Sequence, residues 1–229
     1  MNQGPPSSVL LFAAGFGTRM APLTDTMPKP LIRVDGRALI DHARDLCHGL
    51  HQVANVHYRA DQLRKHLHGS DVLISDETDL LRDTGGGLKH ALPLLQGDPV
   101  YTLNTDAVWT KETALSVLRN AWEPDRMEGL LLLVRRENAI GHHGTSGFDR
   151  GTDGRLTKGP GFVYTGAQII RTERLTDISD TTFSMWSLWT GMLQRGTLFG
   201  AIYDGQWCDV GYPDAIPLAE AVLRKGADV

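Results

Sequence analysis

Short, wholly apolar runs alternate with stretches of three-to-four-residue periodicity along the first 135 residues. Residues 9–12 (VLLF) end in Ala-Ala-Gly and read as a buried strand. Residues 37–50 carry Leu39, Ile40, Ala43, Leu46, Cys47 and Leu50 at near-helical spacing. Residues 53–58 (VANVHY) alternate and are β-branched, a strand pattern. A short helix is predicted over 61–67 and a third strand over 71–75 (DVLIS). Residues 86–95 predict a helix with Leu88, Ala91, Leu92 and Leu95 on one face. A fourth strand, 100–106 (VYTLNTD), ends in a carboxylate. A helix over 111–122 and a strand over 129–134 (GLLLLV) follow. This alternation predicts an α/β layered, Rossmann-like fold on a mixed, mostly parallel central sheet.

The pattern changes beyond residue 135. Residues 141–161 are glycine-rich and have little periodicity. A strand with an internal glycine is predicted over 161–170, a helix over 183–195, a strand over 197–204 and a closing helix over 213–225. No internal repeat or low-complexity block interrupts the chain. The expectation is a single domain over residues 1–229, with a frayed polar tail at 1–8 and a subregion near 135–210 covering the sheet.

Composition narrows the function. Hydrophobic residues make up 41% of the 229, enough for a real core, and the formal net charge is -4. That balance gives no basic footprint for nucleic acid. Cys47 and Cys208, the only cysteines, lack metal-type spacing and are expected to stay reduced. The opening MNQGPPSS has neither a basic n-region nor a long apolar h-region. No apolar run approaches the ~20 residues that span a bilayer. The expectation is a cytoplasmic, soluble protein with no membrane partner; its oligomeric state stays open.

Candidate chemistry concentrates at residues 10–30, LLFAAGFGTRMAPLTDTMPKP. Gly15 and Gly17 permit positive φ and close approach to a ligand. Amides in such a turn form an anion nest, beginning at Ala13 and Ala14. Arg19 adds a planar cationic fork and Lys29 a point charge, with Pro28 and Pro30 stiffening the backbone around the lysine. Amides to cradle and two cations to neutralise suit a polyphosphate. A dinucleotide fingerprint fits poorly, because Met20 stands at its final small position, and no P-loop run occurs.

Gly15, Gly17, Thr18, Arg19, Met20, Pro22, Leu23, Thr24, Pro28, Lys29 and Pro30 match every position of G-x-G-T-R-[LM]-x-P-[LM]-T-x-x-x-P-K-P. The string resembles the signature of the sugar-1-phosphate nucleotidylyltransferases. The resemblance implies a loop holding an NTP triphosphate, with Lys29 stabilising charge as the α-phosphate is attacked. It implies that Gly85, Gly86 and Gly87, in DTGGGLKHAL, let the nucleotide base and ribose lie against backbone. Asp106, in LNTDAVW, corresponds to a Mg²⁺-binding aspartate, with Thr105 where the family usually has glycine, a change expected to crowd the sugar slightly. Asp209, in WCDVGYPD, corresponds to the second metal carboxylate, with Tyr212 and Asp214 replacing Thr and Glu. Catalytic roles are thus expected for Arg19, Lys29, Asp106 and Asp209, with Mg²⁺ as cofactor.

On the sugar side the resemblance implies contacts from Gly144, Lys158, Thr165 and Gly166. Lys158 falls where many members carry Glu-Lys-Pro, but Thr157 replaces the Glu. The GHHG stretch, 141–144, reads as a loop near the sugar and not as a metal site. The tryptophans of MWSLW, 185–189, read as core packing. The chain resembles most closely the short bacterial members, such as the N-acetylmuramate-1-phosphate uridylyltransferases, sharing GHHG, DTGGG and a length without a C-terminal β-helix. The implied reaction joins UTP to N-acetylmuramic acid 1-phosphate. Guanylyl transfer to mannose-1-phosphate, cytidylyl transfer to an alcohol phosphate, and a non-catalytic nucleotide-sugar sensor remain open.

Overall fold

The computed structural model describes residues 4–110 and 113–227. Its strands are β1 Ser8–Phe12, β2 Arg33–Val34, β3 Arg37–Ala38, β4 His51–Val56, β5 Leu73–Asp76, β6 Val100–Asn104, β7 Ala107–Trp109, β8 Gly129–Arg135, β9 Ala139–Ile140, β10 Phe148–Arg150, β11 Leu156–Lys158, β12 Phe162–Ile170, β13 Leu198–Ile202 and β14 Trp207–Asp209. Its helices are α1 Leu39–Asp45, α2 Ala60–Leu67, α3 Asp83–Ala91, α4 Ala114–Ala121, α5 Met185–Arg195 and α6 Ala215–Ala227.

The fold is α/β on a mixed sheet. β1 lies between β4 and β6, parallel to both, and β5 continues the parallel run beyond β4. A strand covered on both faces must be apolar throughout, which explains VLLF. Val9 and Leu11 face a core closed by α1, α2 and α4. Leu10 faces a second core closed by α3 and α5. β12 then reverses direction, pairing antiparallel with β6 and β8, and β13 runs parallel to β8. Among the described residues no helix is long and apolar enough to cross a membrane.

Several expected boundaries move. Ser8 is buried in β1, and Ser7 O accepts from His51 N, so the expected tail joins the sheet at its last two residues. Residues 1–3 lie outside the described residues, as do Lys111 and Glu112 at the start of the helix predicted over 111–122. The predicted 37–50 helix is helical only in α1. Leu46 and Cys47 donate their amides three residues back in tight turns, so their burial mimics helical periodicity without a helix. The glycine-rich segment contains the β10–β11 hairpin, which extends the sheet edge through Phe148 opposite Phe162. Both cysteines are free and buried, and burial pushes each thiol pKa up to about 12.

A separate three-stranded sheet, β7–β14–β9, joins residues far apart in the chain. β14 pairs antiparallel with β7 and parallel with β9. It seats on a third core in which Val108, Cys208 and Val210 meet Ala219 and Val222 of α6.

α3 starts at Asp83, so Gly85, Gly86 and Gly87 lie inside its first turns. The amides of Gly85 and Gly86 both donate to Phe183 O. A Cβ on Gly85 would stand 2.5 Å from the Phe183 ring, and one on Gly86 2.3 Å from Thr181 O. Gly86→Ala should therefore lower stability. Forcing residues 181–184 away costs about 1–3 kcal/mol, more than alanine recovers near a helix start. Urea unfolding should show a lower midpoint at unchanged slope. Gly15→Ala, whose Cβ meets nothing within 4 Å, should unfold like the parent.

Candidate active site

β1 and β6 end side by side, Phe12 opposite Asn104, and the chain leaves β1 into the signature loop. The root of that loop is anchored from below. Ala13 N donates to Asn55 Oδ1 at 2.8 Å, and Asn55 Nδ2 donates to Glu77 Oε1 at 2.8 Å. Arg82 N donates to Glu77 Oε2 at 3.2 Å. Glu77 is completely buried, a position a carboxylate holds only when its oxygens are bonded. A Cβ on Gly87 would stand 2.9 Å from Glu77 Oε1. All three glycines therefore make room for neighbouring protein, and the cavity described below is bordered by Asp83 and Thr84 beside them.

Gly17 is left-handed at φ 63°, and a Cβ there would stand 2.8 Å from Lys29 Cβ. Glycine at this position lets the loop close onto Lys29. Gly15, by contrast, is not in the positive-φ region, which corrects its expected role in the turn. Lys29 opens a 3₁₀ turn, Lys29–Leu31, with Pro28 extended before it. Its side chain is only 11% exposed, and Nζ meets Asp106 Oδ2 at 2.7 Å.

Asp106 occupies the bend between β6 and β7. Asp209 ends β14 opposite Ala107, and Val210 N donates to Asp106 O at 2.9 Å. The two aspartates, far apart in sequence, thus meet through the small sheet. Burial pushes the Asp209 pKa above the usual carboxylate value and the Asp106 charge adds to it; Lys29 and His142 oppose the rise. His142 Nδ1 lies 3.2 Å from Asp209 Oδ2. Arg19 stacks on the Tyr212 ring at 5.0 Å, and the His143 ring meets Tyr212 edge-on. The Tyr212 departure thus supplies a platform for a cationic side chain.

Arg19, Lys29 and Asp106 line a cavity of about 510 Å³. Ala13, Ala14, Gly15, Gly17, Thr18, Arg19, Lys29 and Asp106 border it, as do Asp83, Thr84 and Thr182. Asp209 sits behind Gly211, another bordering residue, with Oδ1 at 3.2 Å from where a Gly211 Cβ would stand. The sugar-side expectations diverge from this picture. Lys158 is exposed, its Nζ 4.9 Å from the Trp186 ring centre. Thr165 is buried and donates to Leu132 O at 2.9 Å. Gly166, at φ 85°, packs on Asn104 at the β12 bulge. Gly144 covers His142 Nε2. None of the four borders the cavity. Thr105 does border it, with its hydroxyl turned to Phe12 O at 2.8 Å. Of the tryptophans, Trp189 is core, but Trp186 is 38% exposed and stacks on Phe148.

Residue-type reasoning passed over Asn55, Glu77 and His142. Asn55 had a signal, being a lone amide in an apolar strand. His142 lay in the GHHG stretch, read as a loop near the sugar, with nothing to assign it to Asp209, and Glu77 had no signal that singles it out from loop residues.

Among the described residues no cluster of three or more His, Cys, Asp or Glu side chains could cage a metal. Two adjacent carboxylates beside a phosphate-sized nest are instead the donor set of Mg²⁺, which takes one or two carboxylates and fills its octahedron with water and phosphate oxygens. Lys29 and His142 each engage one oxygen, Oδ2, of Asp106 and Asp209 respectively. The Oδ1 atoms have no hydrogen-bond donor among the described residues. The site fits the ion.

Comparison with known proteins agrees with this geometry. Residues 9–145 match the model of the MobA-like NTP transferase domain. The chain is 38% identical to the N-acetylmuramate alpha-1-phosphate uridylyltransferase of Caulobacter vibrioides, covering 98% of this chain and 100% of that protein. The Neisseria meningitidis protein of the same name is 29% identical over 95% of this chain and 98% of its own. Among solved structures, the inositol-1-phosphate CTP transferase from T. maritima superposes with a TM-score of 0.79 at 16% identity, over 99% of this chain and 98% of that one. A full-length relative at that identity, and a domain match over more than half the residues, establish that this chain belongs to the MobA-like NTP transferase family.

Proposed function

We propose that this chain transfers the uridylyl group of UTP to N-acetylmuramic acid 1-phosphate, releasing pyrophosphate, with Mg²⁺ as cofactor. The observation that carries the reading is that Lys29 and Asp106 pair on the wall of the cavity that the signature loop borders, with Asp209 joined to Asp106 through the small sheet just behind Gly211. The choice of substrates follows the full-length likeness to the Caulobacter relative.

A phosphate oxygen of the sugar 1-phosphate attacks the α-phosphorus in line, and the bond to the pyrophosphate oxygen breaks. The attacking phosphate is already ionised, so the chain needs no general base. Its work is positioning and charge neutralisation. Amides of the 14–18 loop cradle the phosphates, the Ala13 amide being held by Asn55; Arg19 and Lys29 neutralise them, and Asp106 and Asp209 would hold the ion. When bound, Mg²⁺ supplies Lewis-acid stabilisation of the phosphoryl oxygens.

The test is pyrophosphate release from each of four NTPs against muramyl, glucosyl, mannosyl and heptosyl 1-phosphates. UTP with the muramyl substrate should give the highest kcat/KM. A tenfold preference for GTP with mannose-1-phosphate, about 1.4 kcal/mol in transition-state binding, would overturn the substrate and leave the reaction class. No release with any pair would favour a nucleotide-sugar sensor.

A further inference from the structure

β9 runs parallel to β14 with Ile140 opposite Cys208, so the chain leaving β9 arrives beside Asp209. Gly141 packs so closely that a Cβ would stand 2.7 Å from Asp209 O. The next residue, His142, brings Nδ1 to 3.2 Å from Asp209 Oδ2. An ionised carboxylate only accepts, so Nδ1–H is the donor of this contact. Nε2 is buried without a hydrogen-bond partner among the described residues, facing Gly144, where a Cβ would stand 2.6 Å away. The ring also packs on Trp207, centroid to centroid 5.9 Å. The imidazole is held on several sides and has one polar contact, the one to Asp209.

The two carboxylates are held alike. Lys29 Nζ engages Oδ2 of Asp106, and His142 Nδ1 engages Oδ2 of Asp209. Asp209 Oδ1 then lies beside Gly211 at the cavity border. We propose that His142 is a positioning residue, locking the Asp209 carboxylate so that Oδ1 is presented to a divalent cation. The inference rests on the two-carboxylate reading of the site. It places the role on Nδ1 alone: Nε2, covered by Gly144, is out of reach of substrate.

Amide side chains separate the two nitrogens. In His142→Asn the amide nitrogen falls near the place of Nδ1; in His142→Gln it falls near that of Nε2. Mn²⁺ is the probe, titrated into the full chain without nucleotide, its free fraction read by electron paramagnetic resonance. His142→Ala should weaken Mn²⁺ binding about tenfold or more, the usual effect of losing a partner behind a metal ligand. His142→Asn should stay within about threefold of the parent, and His142→Gln should resemble alanine. Alanine binding as tightly as the parent, or glutamine rescuing better than asparagine, overturns the proposal while the metal site stands. Because asparagine and glutamine differ only in where the amide sits, their comparison decides even if alanine unfolds. Parent binding unaffected by Asp209→Asn, or no parent binding at all, overturns the two-carboxylate reading and this inference with it.

Discussion

Asp106→Asn and Asp209→Asn should each lower kcat by about 10²- to 10³-fold, the scale of removing one preorganised electrostatic group, on the order of 3 kcal/mol. Each change keeps shape and removes one charge from a pair joined through Val210 N and Asp106 O. Stability can gain at Asp209, whose burial and proximity to Asp106 already disfavour its charge, and should fall at Asp106, whose charge pairs the buried Lys29. Folding and catalysis should therefore separate most cleanly in Asp209→Asn: thermal unfolding near the parent's, turnover collapsed. Steady-state kinetics across a Mg²⁺ titration, beside a melting curve, makes the measurement. Near-parental turnover in the double variant would remove the metal site from the mechanism.

Lys29→Ala should cost a comparable factor, about 10²-fold or more in kcat, and far more than Lys158→Ala. The two lysines differ in surroundings more than in charge. Lys29 is buried, packed under Gly17 and paired with Asp106. Lys158 is exposed over Trp186, a contact worth ~0.5–1 kcal/mol at the surface, and does not border the cavity. Its removal should change kcat less than about twofold. Lys29→Arg should not restore activity, because a planar fork does not fill the place of a compact ammonium. Single-turnover rates at saturating substrates compare the three variants directly. A larger loss from Lys158→Ala than from Lys29→Ala would reverse the ranking.

The fold was legible where burial is two-sided. VLLF and GLLLLV are apolar throughout because β1 and β8 each have neighbours on both edges and core on both faces. Period alone could not distinguish the buried turns after α1 from helix, since turns also bury residues three apart. β7, β9 and β14 span only two or three residues each, too few for any periodicity. The meeting of Asp106 and Asp209 depends on those strands, so the sequence offered it only through resemblance. The signature loop was legible because its spacing is local. The glycine triad was visible, but not what packs on it: space beside a glycine is filled by whichever neighbour folds onto it, here residues 181–184, Asn55 and Glu77. The same holds for Thr165, whose hydroxyl the β12 bulge turns toward Leu132.

The small sheet has a consequence for how the site fails. Its strands contribute few ladder bonds of their own, so the third core beneath it is what keeps it closed; a local opening there would cost less than global unfolding. Opening separates Asp209 from Asp106 and from His142 while the nine-stranded sheet stays intact. On the proposed reading, a cation held by both carboxylates would act as a clasp across that seam, closing it by ~2.7 kcal/mol at a hundred times its dissociation constant. Binding would then help to hold together the patch of structure that binds.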